Sequence, residues 1–216
     1  MTLLPLQAAA ALFDMDGTLV DSTAIVETLW TEFAERHSLD AALILGYAHG
    51  RQSRDTISHF LPADAVDAAT AELLEQELTR LDGVIAIPGA AEFITRVGSF
   101  VPVAIVTSAP RALAELRLRA AGVPIPDVLV SGEDVQVGKP APDGYQLAAR
   151  RLGVEPEDCL AFEDAEAGLA AALAAGTRTV VVGGYSSARA DALPRLIDFT
   201  DAVVDGAAGR VSVSPG

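Results

Sequence analysis

The sequence predicts an α/β protein built around a doubly wound parallel sheet, because short apolar runs alternate with longer helical patterns along most of the chain. The apolar runs are too short for helices and do not alternate with polar residues. Such runs are typical of strands that are buried on both faces of a parallel sheet. The predicted strands are, in order, Ala9–Phe13, Val103–Val106, Val128–Val130, Leu160–Phe162 and Thr179–Val182, with a weaker run at Ala202–Val204.

Helical patterns occupy the intervals between these runs. Three of them are followed directly by a glycine (Gly122, Gly153 or Gly176), and glycine commonly follows the last turn of a helix. Strands that alternate with helices predict right-handed crossovers and hence a Rossmann-like core. The predicted helices are Ala90–Val97, Ala112–Ala121, Asp143–Leu152 and Glu166–Ala175.

The segment from Val20 to Gly83 breaks this rhythm, since it contains amphipathic patterns but no convincing strand. The next strand-type run begins only after Pro88-Gly89. We therefore expect a small α-helical cap domain, residues 19–83, inserted after the first strand. The core domain would then consist of residues 1–18 and 84–216.

Composition excludes several classes of partner. The chain carries 15 Lys plus Arg residues against 30 Asp plus Glu residues, a formal net charge of −15. No basic stripe is present to bind nucleic acid or an anionic membrane surface. Cys159 is the only cysteine, which excludes an intramolecular disulfide and suits a reducing compartment. The N-terminus has neither a signal peptide nor a membrane-span pattern, and we expect a cytoplasmic protein, monomeric or weakly homodimeric.

Two carboxylates follow the first predicted strand, in the run Asp14-Met-Asp16-Gly-Thr. In an open parallel sheet, ligands bind beyond the carboxyl ends of the strands, so both side chains are expected at the active crevice. Carboxylates this close repel each other unless a cation lies between them, and such oxygen ligands suit Mg²⁺. The alternative is an acidic loop or a helix N-cap without function.

Two further strand ends carry polar pairs. Glu163-Asp164 follows the fourth predicted strand, and the alternative of a simple N-cap applies there too. Thr107-Ser108 follows the second, where hydroxyls and backbone amides could bind phosphate oxygens or merely cap the next helix. One metal site formed by the two acidic pairs, Asp14 with Asp16 and Glu163 with Asp164, is a simpler explanation than two unrelated helix caps.

Lys139 is the only lysine, since the other fourteen cationic residues are arginines. It lies in the run Val137-Gly-Lys-Pro-Ala-Pro142, directly before a predicted helix. A compact ammonium there could neutralise both a carboxylate and a transferring phosphoryl group, in a space where a forked guanidinium would not fit. The alternative is a surface lysine that happened to survive.

These four motifs resemble those of the haloacid dehalogenase superfamily, in their order and in their positions after strands. The helical insert resembles the small cap of the sugar-phosphatase and β-phosphoglucomutase branch. The resemblance implies a phosphatase that hydrolyses small phosphate esters (sugar, sugar-alcohol or glycerol phosphates), with Mg²⁺ as cofactor. The quoted runs that carry it are Asp14-Met-Asp-Gly-Thr-Leu, Thr107-Ser108, Lys139-Pro140 and Glu163-Asp164.

The resemblance also implies a role for each motif residue. Asp14 would be the nucleophile and a metal ligand, and Asp16 would bind metal through its backbone carbonyl and act as general acid and then base. Thr107, with Ser108, would hold the phosphoryl group. The remaining roles are charge compensation by Lys139 and metal binding by Asp164 and, directly or through water, by Glu163.

Specificity is expected to come from the cap, because the core motifs contact only the phosphoryl group. The candidate residues lie in a polar loop between cap helices: His49, Gly50, Arg51 and Gln52. For Arg51 the alternative is an ordinary solvated charge.

The sequence pattern leaves alternatives to a phosphatase. A phosphosugar mutase resembling β-phosphoglucomutase is the main alternative, and a phospho-accepting receiver domain or a catalytically silent sensor is less consistent with the cap insert and the intact Asp14 and Asp16. Dehalogenation is disfavoured because the dehalogenase branch lacks the second aspartate.

Overall fold

The computed structural model describes residues 6–207 and 209–215 of the chain. Its strands are β1 (Leu6–Ala8), β2 (Ala10–Phe13), β3 (Val20–Asp21), β4 (Ile85–Ala86), β5 (Val103–Val106), β6 (Val128–Val130), β7 (Cys159–Glu163), β8 (Arg178–Val182), β9 (Arg195–Leu196), β10 (Ala202–Ala207) and β11 (Arg210–Pro215). Its α-helices are α1 (Thr23–His37), α2 (Ala41–Ala48), α3 (Ser53–Phe60), α4 (Ala63–Thr79), α5 (Ala90–Gly98), α6 (Arg111–Ala120), α7 (Asp143–Leu152) and α8 (Glu166–Ala175).

The central sheet is parallel, with six strands in the order β6-β5-β2-β7-β8-β9. The first strand of this sheet, β2, lies in the middle, and the chain winds outward from it in both directions. This arrangement confirms the predicted doubly wound α/β fold. It also creates a crevice at the carboxyl end of β2, where the strand order reverses. Strand β9 was not predicted, because two residues after a proline carry no readable pattern.

The run at Ala202–Val204 was expected to be a buried strand of this parallel sheet, and that expectation is wrong. It belongs to β10, which pairs antiparallel with β11 in a separate sheet of order β1-β11-β10. Val204 is buried whereas its neighbour Val203 is largely exposed, so only one face of the strand is covered. One-sided burial of this kind is typical of an antiparallel sheet.

The predicted helices of the core are found within one residue of their expected bounds, as α5 to α8. Helices α7 and α8 end at glycines in the left-handed conformation, Gly153 (φ 70°) and Gly176 (φ 93°). A side chain other than glycine or asparagine would be strained there, which is why these glycines mark the helix ends in the sequence.

Helices α1 to α4 follow one another without an intervening strand and fill the segment that breaks the strand–helix rhythm. The chain enters and leaves this segment through a short antiparallel ribbon, in which Val20 of β3 pairs with Ala86 of β4. Strand β3 was missed because two residues are too few for a pattern. The division into a cap, residues 19–83, and a core stays a prediction. Among the described residues, no helix has the length and apolarity needed to cross a membrane.

Phenylalanines fill the space under the central strands. The rings of Phe13 on β2 and Phe162 on β7 stack with centroids 4.8 Å apart, and Phe93 of α5 meets both edge-on. Phe199 completes the cluster. These rings hold the two strands that carry Asp14 and Glu163 in register against the same helix.

We expect Phe162→Ala to lower the free energy of unfolding by about 3–5 kcal/mol, because Phe162 is fully buried and truncation leaves a cavity. Urea-induced unfolding would measure this change. The control is Ile197→Ala, since Ile197 is 72% exposed and its truncation should change the free energy by no more than about 0.5 kcal/mol. Equal effects of the two substitutions would contradict this account of the core.

Candidate active site

The site lies where three adjacent strands end. Asp14 directly follows β2, Thr107 directly follows β5, and Glu163 is the last residue of β7. Because β5 and β7 flank β2 in the parallel sheet, these three carboxyl ends meet at one edge. The structure therefore brings together side chains that are far apart in the sequence.

Lys139 reaches into this edge and bridges two carboxylates. Its ammonium donates hydrogen bonds to Oδ1 of Asp14 (2.5 Å), to Oε1 of Glu163 (2.7 Å) and to the carbonyl of Val106 (3.1 Å). The side chain is only 5% exposed. Burial alone would lower the pKa of Lys139, but the carboxylates of Asp14 and Glu163 outweigh it and raise that pKa, so the ammonium stays charged.

The carboxylates of Asp14, Glu163 and Asp164 form a compact cluster, with one oxygen of each lying within 4.8 Å of the others. Burial, followed by the charge of Glu163, raises the pKa of Asp14 from 3.8 to about 7. Burial also raises the pKa of Asp164 well above its ordinary value. One ammonium does not balance three crowded carboxylates, and hard oxygen donors at this density fit a divalent cation such as Mg²⁺ or Ca²⁺.

The carboxylate of Asp16 is not part of this cluster. It accepts hydrogen bonds from Oγ of Ser22 (2.6 Å) and from the guanidinium of Arg117 (3.1 and 3.2 Å). Arg117 therefore offsets the charge of the Asp16 carboxylate, and the cation expected between Asp14 and Asp16 stays a prediction. A backbone contact from Asp16 to a metal, which the family resemblance implies, is unaffected.

Glu163 is held by Tyr145, to which the motifs assigned no role, and by the backbone of its neighbour Asp164. The Tyr145 hydroxyl donates to Oε1 (2.6 Å), and the backbone N–H of Asp164 donates to Oε2 (3.2 Å). Burial, followed by the charge of Glu163, raises the pKa of Tyr145 well above 10, which keeps the hydroxyl protonated as a donor. On the other side Gly168 leaves the necessary space, since a Cβ atom there would lie 1.9 Å from the carboxylate.

Arg117 and Glu77 were also missed by the sequence reasoning. Arg117 of α6 contacts Glu77 of α4 (3.1 Å) as well as Asp16, and both side chains are more than nine-tenths buried. The sequence does contain an indication that Arg117 is buried. It lies three and four residues after the apolar residues Ala114 and Leu113, on the same face of its helix. An arginine on an apolar face needs a buried partner.

The two predicted phosphate-binding hydroxyls have different surroundings. Thr107 is buried, and its Oγ1 accepts a hydrogen bond from the backbone N–H of Ala109 (3.1 Å). Ser108 donates from Oγ to the carbonyl of Gly50 (2.8 Å), so it joins the core to the polar loop between α2 and α3. Both residues line the same cavity as Asp14 and Asp164.

A cavity of about 110 Å³ contains most of the predicted site, including Asp14, Asp16, Thr107, Ser108 and Asp164. Apolar residues of α1, α2 and α6 form much of its wall. A larger cavity of about 630 Å³ adjoins it and shares Gly17, Thr23, His49, Arg51 and Asp164 with it.

The four predicted cap residues are not equivalent. His49, Gly50 and Arg51 line the cavity, and the Arg51 guanidinium lies 4.4 Å from the centroid of the Tyr47 ring. His49 is exposed to solvent. Gln52 lies outside the cavity lining, and its side-chain amide donates to the carbonyl of Gly132 (3.0 Å).

The family model for haloacid dehalogenase-like hydrolases matches residues 8–176. The chain belongs to this family, as the four motifs predict, and hydrolases of this family generally use a divalent metal.

Named relatives include hexitol phosphatase A of Escherichia coli (strain K12), which is 42% identical over 79% of this chain and 81% of its own length. Validoxylamine A 7'-phosphate phosphatase of Streptomyces hygroscopicus subsp. limoneus is 35% identical over 77% of this chain and 81% of its own length. Among solved structures, CbbY of Rhodobacter sphaeroides in complex with phosphate has a TM-score of 0.73 and 28% identity, covering 90% of this chain and 96% of that chain. These comparisons confirm the family branch as well as the fold.

We expect Gly168→Ala to reduce turnover strongly, on the order of a hundredfold, because the added methyl group must displace the Glu163 carboxylate and with it Lys139. Phosphate release from an aryl phosphate would measure the loss. Gly46→Ala is the matched control: Gly46 is also helical, but nothing lies within 4 Å of a Cβ atom there. That change should raise the free energy of unfolding by roughly 0.5–1 kcal/mol. A fully active Gly168→Ala protein would contradict the proposed packing.

Proposed function

We propose that this protein is a Mg²⁺-dependent phosphatase that hydrolyses phosphate monoesters of sugars and polyols through a covalent aspartyl-phosphate on Asp14. The observation that supports this proposal most directly is the buried ammonium of Lys139, which bridges Asp14 and Glu163 where three strands end. Relatives named as phosphatases of hexitol, 2-deoxyglucose-6-phosphate and glycerol-1-phosphate support the assignment of a phosphoric monoester hydrolase acting on such esters.

Asp14 is the proposed nucleophile. One of its carboxylate oxygens attacks phosphorus in line, and the bond from phosphorus to the ester oxygen breaks. Lys139 offsets the charge that develops on the phosphoryl oxygens, while Thr107 and Ser108 supply hydrogen bonds to them. Lys139 suits this role because its own carboxylate partners keep it charged and fix its position.

Asp16 is the proposed general acid and base. It donates a proton to the leaving alkoxide, and it then removes a proton from the water that cleaves the aspartyl-phosphate. Inorganic phosphate leaves, and the free carboxylate of Asp14 is restored. Ser22 and Arg117 donate hydrogen bonds to the Asp16 side chain and set its position beside the cavity.

The proposed metal ligands are Asp14, Asp164 and the backbone carbonyl of Asp16, with Glu163 acting directly or through water. A bound Mg²⁺ would supply positive charge to the phosphoryl oxygens and offset repulsion between them and the carboxylates. Glu163 already accepts hydrogen bonds from Lys139, Tyr145 and the backbone N–H of Asp164, which favours contact through water over direct binding.

The polar loop of the proposed cap, residues 19–83, makes two hydrogen bonds to the core. Gly50 accepts a hydrogen bond from Ser108, and Gln52 donates one to Gly132. These contacts hold His49 and Arg51 over the cavity, where they are proposed to contact the substrate. The role proposed for Gln52 is to place this loop.

A phosphosugar mutase is retained as a second candidate because the fold resembles that of a protein described as a putative β-phosphoglucomutase from Thermotoga maritima, with a TM-score of 0.64 and 26% identity. A mutase returns the phosphoryl group to a second hydroxyl, whereas a phosphatase transfers it to water. Measuring free phosphate and isomeric products from the same reaction separates the two. Isomer formation without phosphate release would favour the mutase.

The central test is phosphate release from a panel of sugar, polyol and glycerol phosphates in the presence of Mg²⁺. Asp14→Asn should lower turnover by about a thousandfold or more while the protein remains folded, because the amide is a poor nucleophile. Asp82→Asn, a change at an exposed loop position, should leave turnover unaltered. A folded Asp14→Asn protein with near wild-type turnover would remove Asp14 from the mechanism.

Removing the metal should abolish turnover, and adding Mg²⁺ should restore it. Ca²⁺ should support turnover poorly, because it takes six to eight ligands at longer distances. Mg²⁺ should also raise the temperature of thermal unfolding in the wild type, since a ligand of the folded state stabilises it, and should do so less in Asp164→Asn. Full activity after exhaustive dialysis against a chelator would contradict the requirement for metal.

A further inference from the structure

The buried ion pair between Arg117 and Glu77 lies inside the cavity of the proposed active site. Arg117 extends from α6 and Glu77 from α4, and both line the same cavity as Asp14 and Asp164. Their side chains are 4% and 8% exposed. Neither residue belongs to the four motifs identified in the sequence.

The position of the pair relative to Asp16 indicates which part of a substrate it meets. Arg117 lies 3.1 Å from the Asp16 carboxylate. If Asp16 protonates the ester oxygen, that oxygen lies within hydrogen-bond distance of Asp16. The carbon atoms attached to it then lie on the leaving-group side, beside Arg117 and Glu77.

The pair retains hydrogen-bonding capacity. The Nε atom of Arg117 is buried and has no hydrogen-bond partner among the described residues. Over the same part of the chain, the hydrogen bond found for the Glu77 carboxylate involves Oε1 and Arg117 alone. A carboxylate can accept about four hydrogen bonds, and buried polar groups that lack partners cost free energy. A bound ligand whose hydroxyl groups donate to the Glu77 carboxylate would satisfy the remaining capacity of that carboxylate.

Other parts of the cavity lining are apolar. Val26 and Trp30 of α1 and Leu113 of α6 contribute side chains to its lining. A cavity lined by both an ion pair and apolar side chains matches a ligand that has hydroxyls as well as C–H groups. Sugars and polyols have this character, whereas simple alkyl groups offer nothing for the ion pair to bind.

We propose that Arg117 and Glu77 form a subsite that binds hydroxyl groups of the leaving group and thereby selects polyhydroxylated phosphate esters. This inference rests on the proposed phosphatase function and names the groups that set its substrate class. In the subsite Glu77 accepts hydrogen bonds from substrate hydroxyls, and Arg117 orients the carboxylate. Glu77 is thus a specificity residue, distinct from the loop residues His49 and Arg51.

The alternative is a purely structural ion pair that fastens α4 to α6. It predicts that a change at Glu77 alters the thermal stability, or the Michaelis constant for every ester alike. The subsite instead predicts a change in the preference between esters that differ only in their hydroxyls. A ratio of rates therefore separates the two roles.

The test compares glycerol 1-phosphate with n-propyl phosphate, which has the same three carbons but lacks two hydroxyls. The quantity measured is the ratio of kcat/KM for the two esters, with Mg²⁺ present. Intrinsic differences between the leaving groups cancel when this ratio is compared between variants. Wild-type protein should prefer the hydroxylated ester.

Glu77→Met keeps a similar volume but removes both acceptors, and it should lower the ratio by about tenfold or more. Glu77→Gln keeps one acceptor and should retain more of the preference, so it also serves if the methionine variant is unstable. The control is Glu75→Gln on the exposed face of the same helix, which should leave the ratio unchanged.

An equal fall for both esters, with the ratio preserved in Glu77→Met and Glu77→Gln, would overturn the subsite but not the phosphatase. A wild type that hydrolyses both esters without preference would also overturn the subsite but not the phosphatase. A wild type that releases phosphate from neither ester, nor from any member of the wider panel, would overturn the proposed function and the subsite with it.

Discussion

The ion pairs of Lys139 are the interaction on which the rest of the site depends. Two carboxylates, Asp14 and Glu163, are buried at adjacent strand ends, and burying charge is costly unless each charge is paired and hydrogen-bonded. The single ammonium satisfies both. Removing the ammonium would leave two like charges whose oxygens lie within 4.8 Å of each other. One of the two carboxylates would then have to be protonated or displaced.

This dependence explains the packing around Glu163. The carboxylate must bind Lys139, remain close to Asp14 and Asp164, and still fit beneath α8. Tyr145 and the backbone N–H of Asp164 fix its two oxygens, and Gly168 provides the space. The net charge of −15 makes the arrangement more demanding, because an anionic substrate must approach an acidic protein and local cations must attract it.

Much of the site was predictable because its residues follow strands directly. Asp14, Thr107 and Asp164 are found where apolar runs stop, and the topology of a parallel sheet places such positions at one edge. Residues that act from helices were not predictable in the same way. Tyr145 and Arg117 face inward at positions that depend on how α7 and α6 pack, and no local pattern specifies which strand end each one meets. Strand β10 was assigned to the wrong sheet because three apolar residues do not reveal their pairing partner.

The two buried cations of the site show why the chain uses different residues for them. Lys139 contacts two carboxylates and a carbonyl around a single nitrogen, a compact geometry that leaves room beside Asp14 for a phosphoryl group. Arg117 uses separate nitrogens for Asp16 and Glu77, so one planar group spans two helices and the loop after β2. A lysine could not make both contacts across that width, and a guanidinium beside Asp14 would fill the position of the transferring group. A chain with fourteen arginines therefore keeps a lysine at the one position where the cation must be small.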